Sequence, residues 1–303
     1  MIYYTGDIHG SKFEVVRLAK KFNLTKDDII VILGDAGINY FGNEQDNELK
    51  EIFSQLKPTI FCIHGNHEIR PHNIPSYITK VWNGGTVWYE EAYPNILFAK
   101  VGEIYDMEGI KHLVIGGAYS VDKFYRIARG YGWWADEQPS NEIKKYVERQ
   151  IKEKEFDIIL SHTCPYKYEP REMFISGIDQ STVDTSTEMW LDEIEETIDY
   201  KAWYCGHWHK VSSDSTDNDI HSIMNNLKNI KEEAYNMVKL AINKIKNGEI
   251  VDIEGIEDFK YLLMDYGDDY RFFELYKSLC QVLKEKYPQL VNDKWFDKLL
   301  KNN

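Results

Sequence analysis

"DIIVILGDAG", residues 28–37, decides how the rest of the chain is read. The run from Ile29 to Leu33 has no polar position, so it has no face to offer water. Such a short continuous run fits a strand covered on both sides, as in a parallel sheet packed between helices. Gly34 stops it, and Asp35 sets a carboxylate beyond its carboxyl end, where open α/β sheets bind their ligands.

The same grammar recurs on either side. Short apolar runs "MIYY" (1–4), "TIFCI" (59–63), "HLVIGG" (112–117), "FDIIL" (156–160) and "AWYC" (202–205) alternate with other segments. Those segments, "KFEVVRLAKKF" (12–22), "DNELKEIFSQL" (46–56), "SNEIKKYVERQI" (140–151) and "TEMWLDEIEETI" (187–198), repeat apolar residues at helical spacing. The alternation predicts an α/β domain with a largely parallel sheet. Residues 85–115 depart from it and read as consecutive hairpins with "MEG" (107–109) as a tight turn, which predicts a second, partly antiparallel sheet.

Five strand ends carry metal-ligand side chains: "GDIHG" (6–10), "GDAG" (34–37), "HGNHE" (64–68), "SHTCP" (161–165) and "GHWH" (206–209). At the carboxyl edge of parallel strands these peptides converge. Asp7, His9, Asp35, Asn66, His162, His207 and His209 supply oxygen and imidazole nitrogen without thiolate, a set suited to manganese, iron or zinc. They are too many for one ion. With Asp35 bridging, one ion takes Asp7, His9, Asp35 and His209, and the other takes Asp35, Asn66, His162 and His207. Two ions about 3.5 to 4 Å apart can activate a water and clamp a phosphoryl group. The glycines at 6, 34, 65 and 206 allow the backbone to approach closely.

In order and type, "GDIHG", "GDAG", "GNHE", "SHTCP" and "GHWH" resemble the calcineurin-like metallophosphoesterase superfamily, over residues 1 to about 210. "RGYGWWADEQPS" (129–140) and "SHTCPY" (161–166) are similar to a bacterial and phage branch of uncharacterised members. The resemblance implies two stacked mixed β-sheets flanked by helices, a dinuclear centre with the ligands above, manganese as the expected metal, and phosphate-ester hydrolysis by a metal-bridging hydroxide. It also implies that His67 assists the leaving group as an acid or electrostatic helper. The chain departs from the family's phosphoprotein phosphatases, because "GDAGINYFG" (34–42) has no arginine to hold phosphate. Arg70, Arg126 and Arg129 are the candidate counter-charges by proximity to the motifs.

Composition narrows the partners. A net charge of −14 disfavours a polyanion, so a small phosphorylated molecule or nucleotide is expected ahead of nucleic acid. Cys62, Cys164, Cys205 and Cys280 show no CxxC spacing, and no apolar stretch approaches roughly 18 residues. A cytoplasmic protein without a membrane segment is the expectation. Of the remaining histidines, His64 is expected to orient its neighbours, and His72, His112 and His221 to be structural or exposed. Trp133, Trp134, Tyr119 and Tyr131 are read as core packing ahead of a stacking wall.

The catalytic domain is expected over 1–212. After "GHWHK" no sheet-closing strands are legible; "VSSDSTDND" (211–219) reads as a polar hinge, and a helical stripe runs from Ile220 to Ile245. With "IEDFKYLLMDYG", "YRFFELYKSLCQVLKEKY" and "NDKWFDKLL" it predicts a helical C-terminal appendage over 217–303. That appendage would cover the first domain, or pair with a second copy or a protein partner. Two other functions are less well supported. A nuclease or phosphodiesterase on nucleic acid lacks a basic stripe in those helices, and an inactive scaffold is opposed by the complete ligand set.

Overall fold

A computed structural model describes residues 1–171, 174, 179–208, 212–214, 219–222, 235, 238–240, 242–247 and 270–286. The chain divides into two compact units, Met1–Asn225 and Asn226–Asn303.

The first unit is built on two sheets. In one, β1 (Ile2–Thr5), β2 (Ile29–Ile32), β3 (Thr59–Cys62) and β6 (Ile96–Ala99) run parallel, and β5 (Gly85–Tyr89) and β4 (Ile78–Trp82) add an antiparallel hairpin at the edge. In the other, β8 (Ile110–Ile115), β9 (Ile158–Ser161), β10 (Ala202–Cys205) and β12 (Asp219–Ser222) run parallel. There β7 (Ile104–Met107) and β11 (Ser212–Asp214) are the antiparallel edges. The turn read at "MEG" joins β7 to β8, with Glu108 and Gly109 both at positive φ, 54° and 80°. That is the twist-matched geometry of a two-residue hairpin loop.

Strand alternation sorts the core. Val31, Leu33, Phe61 and Ile63 face Tyr105, Met107, Val114 and Leu160 between the sheets. The intervening Ile30, Ile32 and Ile60 pack outward with Val15, Ala19, Leu49 and Phe53. These last four lie on α1 (Lys12–Lys21) and α2 (Asn47–Ser54). On the far side Leu113, Ile115, Ile159 and Trp203 pack with Val147, Trp190, Leu191 and Ile194. Those residues lie on α4 (Asn141–Glu153) and α5 (Ser186–Glu195). Each fully buried branched side chain contributes about 1.5 to 3 kcal/mol, so the four layers hold the strand ends firmly. The short α3 (Lys123–Arg129) buries none of its residues.

One expectation is corrected. Residues read as hinge and as the first turn of a helical stripe form β11 and β12 instead, and β12 pairs along β10 from Ala202↔Asp219 to Cys205↔Ser222. The open backbone groups of β10 reward pairing, and they lie outside the reach of local periodicity. In the second unit Val238 and Ile245 are buried, as the stripe predicts, together with Ile242, and α6 (Tyr270–Lys286) buries Leu279, Val282 and Leu283. The segments "IEDFKYLLMDYG" and "NDKWFDKLL" lie outside the described residues. Among the described residues, no helix is long and apolar enough to cross a membrane.

Candidate metal centre

Parallel register delivers the site. Thr5, Ile32 and Cys62 are direct partners across β1, β2 and β3, and Ser161 is the partner of Cys205 across β9 and β10. The loops that leave these aligned ends carry Asp7, Asp35, Asn66, His162 and His207 into one place. His9, Asp35 and His207 hold positive φ of 45°, 44° and 68°, which for residues with a Cβ costs about 1 kcal/mol or more each. Half of the non-glycine residues at positive φ among the described residues are thus candidate ligands.

Both carboxylates are pinned in the same way. His67 donates its backbone N–H to Asp35 Oδ1 at 2.8 Å, and His207 donates its own to Asp7 Oδ1 at 2.7 Å. The loops must come very close to do this. A Cβ on Gly65 would lie 1.9 Å from Asp35 Oδ1, and one on Gly206 would lie 2.2 Å from Asp7 Oδ1. The second oxygens turn toward the imidazoles: Asp35 Oδ2 is 3.7 Å from His162 Nε2 and 4.0 Å from His67 Nε2, and Asp7 Oδ2 is 3.8 Å from His9 Nε2. Asp35 Oδ2 is buried and makes no hydrogen bond among the described residues.

The fit to a cation is clearest at His162. Its Nδ1 meets the Leu33 carbonyl oxygen at 2.8 Å, which accepts only, so the ring proton sits there. In the neutral ring Nε2 is then a lone pair, and it lies 2.7 Å from Asn66 Oδ1, an acceptor, while Asn66 Nδ2 donates to Ser120 Oγ at 2.8 Å. Two such acceptors repel each other unless a proton on Nε2 or a cation shared by both lone pairs lies at that point. Among the described residues, potential ligand atoms lie within 4.8 Å of one another in two groups, Asp7, His162 and His207, and Asp7, His9 and Asp35. Asp7 is common to both groups, where ligand counting made Asp35 the shared carboxylate. His209 lies outside the described residues.

Electrostatics keeps the donors in ligand form. Burial, reinforced by His162, drives the His207 imidazole down to about 3, so it is neutral at physiological pH. Burial pushes the Asp35 carboxyl up, but His162, His67 and His9 outweigh it, and the group ends below the ordinary carboxylate range. Burial, with a further push from Arg126, lowers His67. Its Nε2 lies 3.2 Å from Asn66 Nδ2, and its Nδ1 has no hydrogen-bond partner among the described residues.

The centre forms the floor of a cleft of about 450 Å³. Of the three arginines named from sequence, none lines it. Arg70 is buried and donates to the carbonyl oxygens of Asp136 and Glu137, which makes it a clamp on that loop. Arg126 is held by Asp122 at 2.9 Å and by the Gly132 carbonyl, and Arg129 lies over the Tyr125 ring. The cation in the cleft wall is Arg171, which carries no motif and was not legible. Tyr40, whose hydroxyl meets His9 Nδ1 at 2.8 Å, and Ser120 are further residues that sequence reasoning missed. Trp133 bonds Glu137 and lies outside the cleft; Trp208 and Phe174 line it instead. His64 is buried against Phe98 with no hydrogen-bond partner at Nδ1 among the described residues, and His112 is held by Tyr4 and the Ile110 carbonyl, structural as expected.

A family model described as calcineurin-like phosphoesterase matches residues 1–211. No curated protein matches the chain. The crystal structure of TT1561 of Thermus thermophilus is similar at 13% identity with a TM-score of 0.44, covering 74% of this chain and 88% of that one. A further crystal structure is similar at 13% identity with a TM-score of 0.42, covering 73% and 89%.

Proposed function

Because this chain belongs to the calcineurin-like phosphoesterase family, we propose that it hydrolyses esters of small phosphorylated molecules or nucleotides at a dinuclear metal centre. The observation that carries the reading is the meeting of His162 Nε2 and Asn66 Oδ1 at 2.7 Å beside the Asp35 carboxylate, three potential ligand atoms in one buried place. Asp7, His9, Asp35 and His209 would hold one ion, and Asp35, Asn66, His162 and His207 the other, with manganese ahead of iron or zinc for this oxygen and nitrogen set. When bound, such ions neutralise phosphoryl oxygens and make a water acidic enough to attack phosphorus at neutral pH.

The protein's own groups do the rest. Asp35 and Asp7 are aimed by backbone N–H bonds, so their orientation survives substrate exchange. Tyr40 and Leu33 set which nitrogens of His9 and His162 face the cleft. His67 retains capacity for a further hydrogen bond, and we assign that bond to the departing oxygen. Arg171 gives the cleft wall a cationic side.

The decisive assay is hydrolysis of mono- and bis-aryl phosphates by the full chain. Activity should vanish on chelation, return with manganese and be lost in Asp35→Asn. Undiminished activity in the metal-free chain would overturn the reading, and the ratio of the two substrates separates monoester from diester chemistry.

A further inference from the structure

The indole of "GHWH" has no part in the scheme above, yet it has a defined place. Trp208 stacks on Phe174 with ring centroids 5.8 Å apart and planes 21° apart, and both rings line the cleft above Asp7, Asp35 and His207. Both are partly exposed, so the pair forms a wall and is not sealed in the core. The Trp208 Nε1–H is buried and has no hydrogen-bond acceptor among the described residues. Next to this pair Arg171 lies over the Tyr166 ring at 5.1 Å, and both again line the cleft. The Glu169 side chain adds a carboxyl group to the same wall. Burial, with Glu188 nearby, pushes that carboxyl up to about 7, so it can donate or accept near neutral pH.

A phosphate held at the floor presents its ester substituent to this wall. An aliphatic alcohol gains little there, because it has no planar face for the aromatic pair. A bare aryl ring would use the face but leave the indole N–H and the Glu169 carboxyl unmatched, which costs affinity in a partly dry cleft. A purine or pyrimidine meets both needs, and a cleft of about 450 Å³ accommodates one nucleotide.

We propose that Trp208, Phe174, Tyr166 and Arg171, with Glu169 at the base edge, form a nucleobase subsite, and that the substrate is a mononucleotide. This deepens the phosphoesterase reading and rests on it for the position of the phosphate.

The test compares a nucleoside monophosphate with glycerol phosphate in the manganese-loaded full chain. The nucleotide should be preferred in kcat/KM by about tenfold or more, the scale of one stacked base. Trp208→Ala should shrink that preference by raising KM for the nucleotide, and Trp208→Phe should keep most of it. The uncharged nucleoside should compete where ribose does not, a measurement that needs no variant. A ratio near unity in the unaltered chain, or equal competition by nucleoside and ribose, overturns the subsite. Calorimetric titration with the nucleoside reads the subsite without turnover. Binding in a chain that hydrolyses no phosphate ester leaves the subsite standing and removes the phosphoesterase reading; absence of binding removes the subsite whatever the turnover.

Discussion

His162 Nε2 lies 2.7 Å from Asn66 Oδ1, and with Nδ1 donating its hydrogen to the Leu33 carbonyl oxygen, neither facing atom carries a hydrogen in the neutral ring. Such a pair is relieved by a shared cation, which competes with a proton for the site. Adding manganese should raise the melting temperature, by the equivalent of about 2.7 kcal/mol at a hundredfold excess over Kd. Asn66→Ala should remove most of that increment while leaving the metal-free chain folded. Scanning calorimetry with manganese and with chelator checks it, and an identical increment in the variant would exclude Asn66 as a ligand.

His67→Ala should separate chemistry from metal binding. Its side chain stands 4.0 Å from Asp35 Oδ2, and its hydrogen-bonding capacity is not used up by the protein. Turnover should fall by about 10²-fold, with metal content per chain unchanged by elemental analysis. Parallel loss of metal and rate would make His67 a ligand.

Two glycine-to-alanine exchanges should differ sharply. At Gly65 the new Cβ would lie 1.9 Å from Asp35 Oδ1 and 2.3 Å from its backbone nitrogen, so the loop or the carboxylate must move. A loss of about 2 kcal/mol or more and weakened metal binding are expected. At Gly109, with φ +80° and nothing within 4 Å, only the left-handed backbone is penalised, by about 1 kcal/mol. Urea denaturation of the two variants reads the difference.

Glu68 sets a pH dependence. Burial, with Asp35 adding to it, pushes this carboxyl up to about 8. The folded metal-free chain thus holds the proton more tightly than the unfolded chain, whose glutamates titrate near about 4.3. Its stabilising share is fully present below the unfolded value and is lost as pH rises through the folded one. Urea midpoints of the metal-free chain should fall between about pH 5 and pH 8, and Glu68→Gln, which stays neutral, should flatten that decline. A slope unaltered in the variant would assign it to other groups.

The pairing of β12 with β10 changes where the chain can be cut. Ending it after Ser213 removes β12 and leaves the β10 edge unpaired, whereas ending it after Asn225 retains the whole sheet. The shorter chain should aggregate and the longer one should elute as a defined species from a size-exclusion column, because an open edge recruits other strands. Equal behaviour would show that β12 adds nothing to the sheet's integrity.

Much of this protein is legible along the chain because the relevant physics is local. A run such as Ile29–Leu33 can only be a covered strand, and a ligand placed after each such run must lie at the sheet's carboxyl edge. The alternating layers follow from that reading, and of the seven candidate ligands the structure sets Asp7, His9, Asp35, Asn66 and His207 in the lining of one cleft, with His162 buried against Asn66; His209 lies outside the described residues. Whatever depends on which surfaces meet across long sequence separations was decided by the tertiary structure. Arg70 sits beside a motif but is spent on the Asp136 and Glu137 carbonyls, while Arg171, in no motif, reaches the cleft. Tyr40 and Ser120 gain their roles only because folding sets them within hydrogen-bond reach of His9 and Asn66. Ile220 fits a helical stripe by spacing, yet it belongs to β12, because the unpaired edge of β10 offers backbone hydrogen bonds that no local pattern encodes.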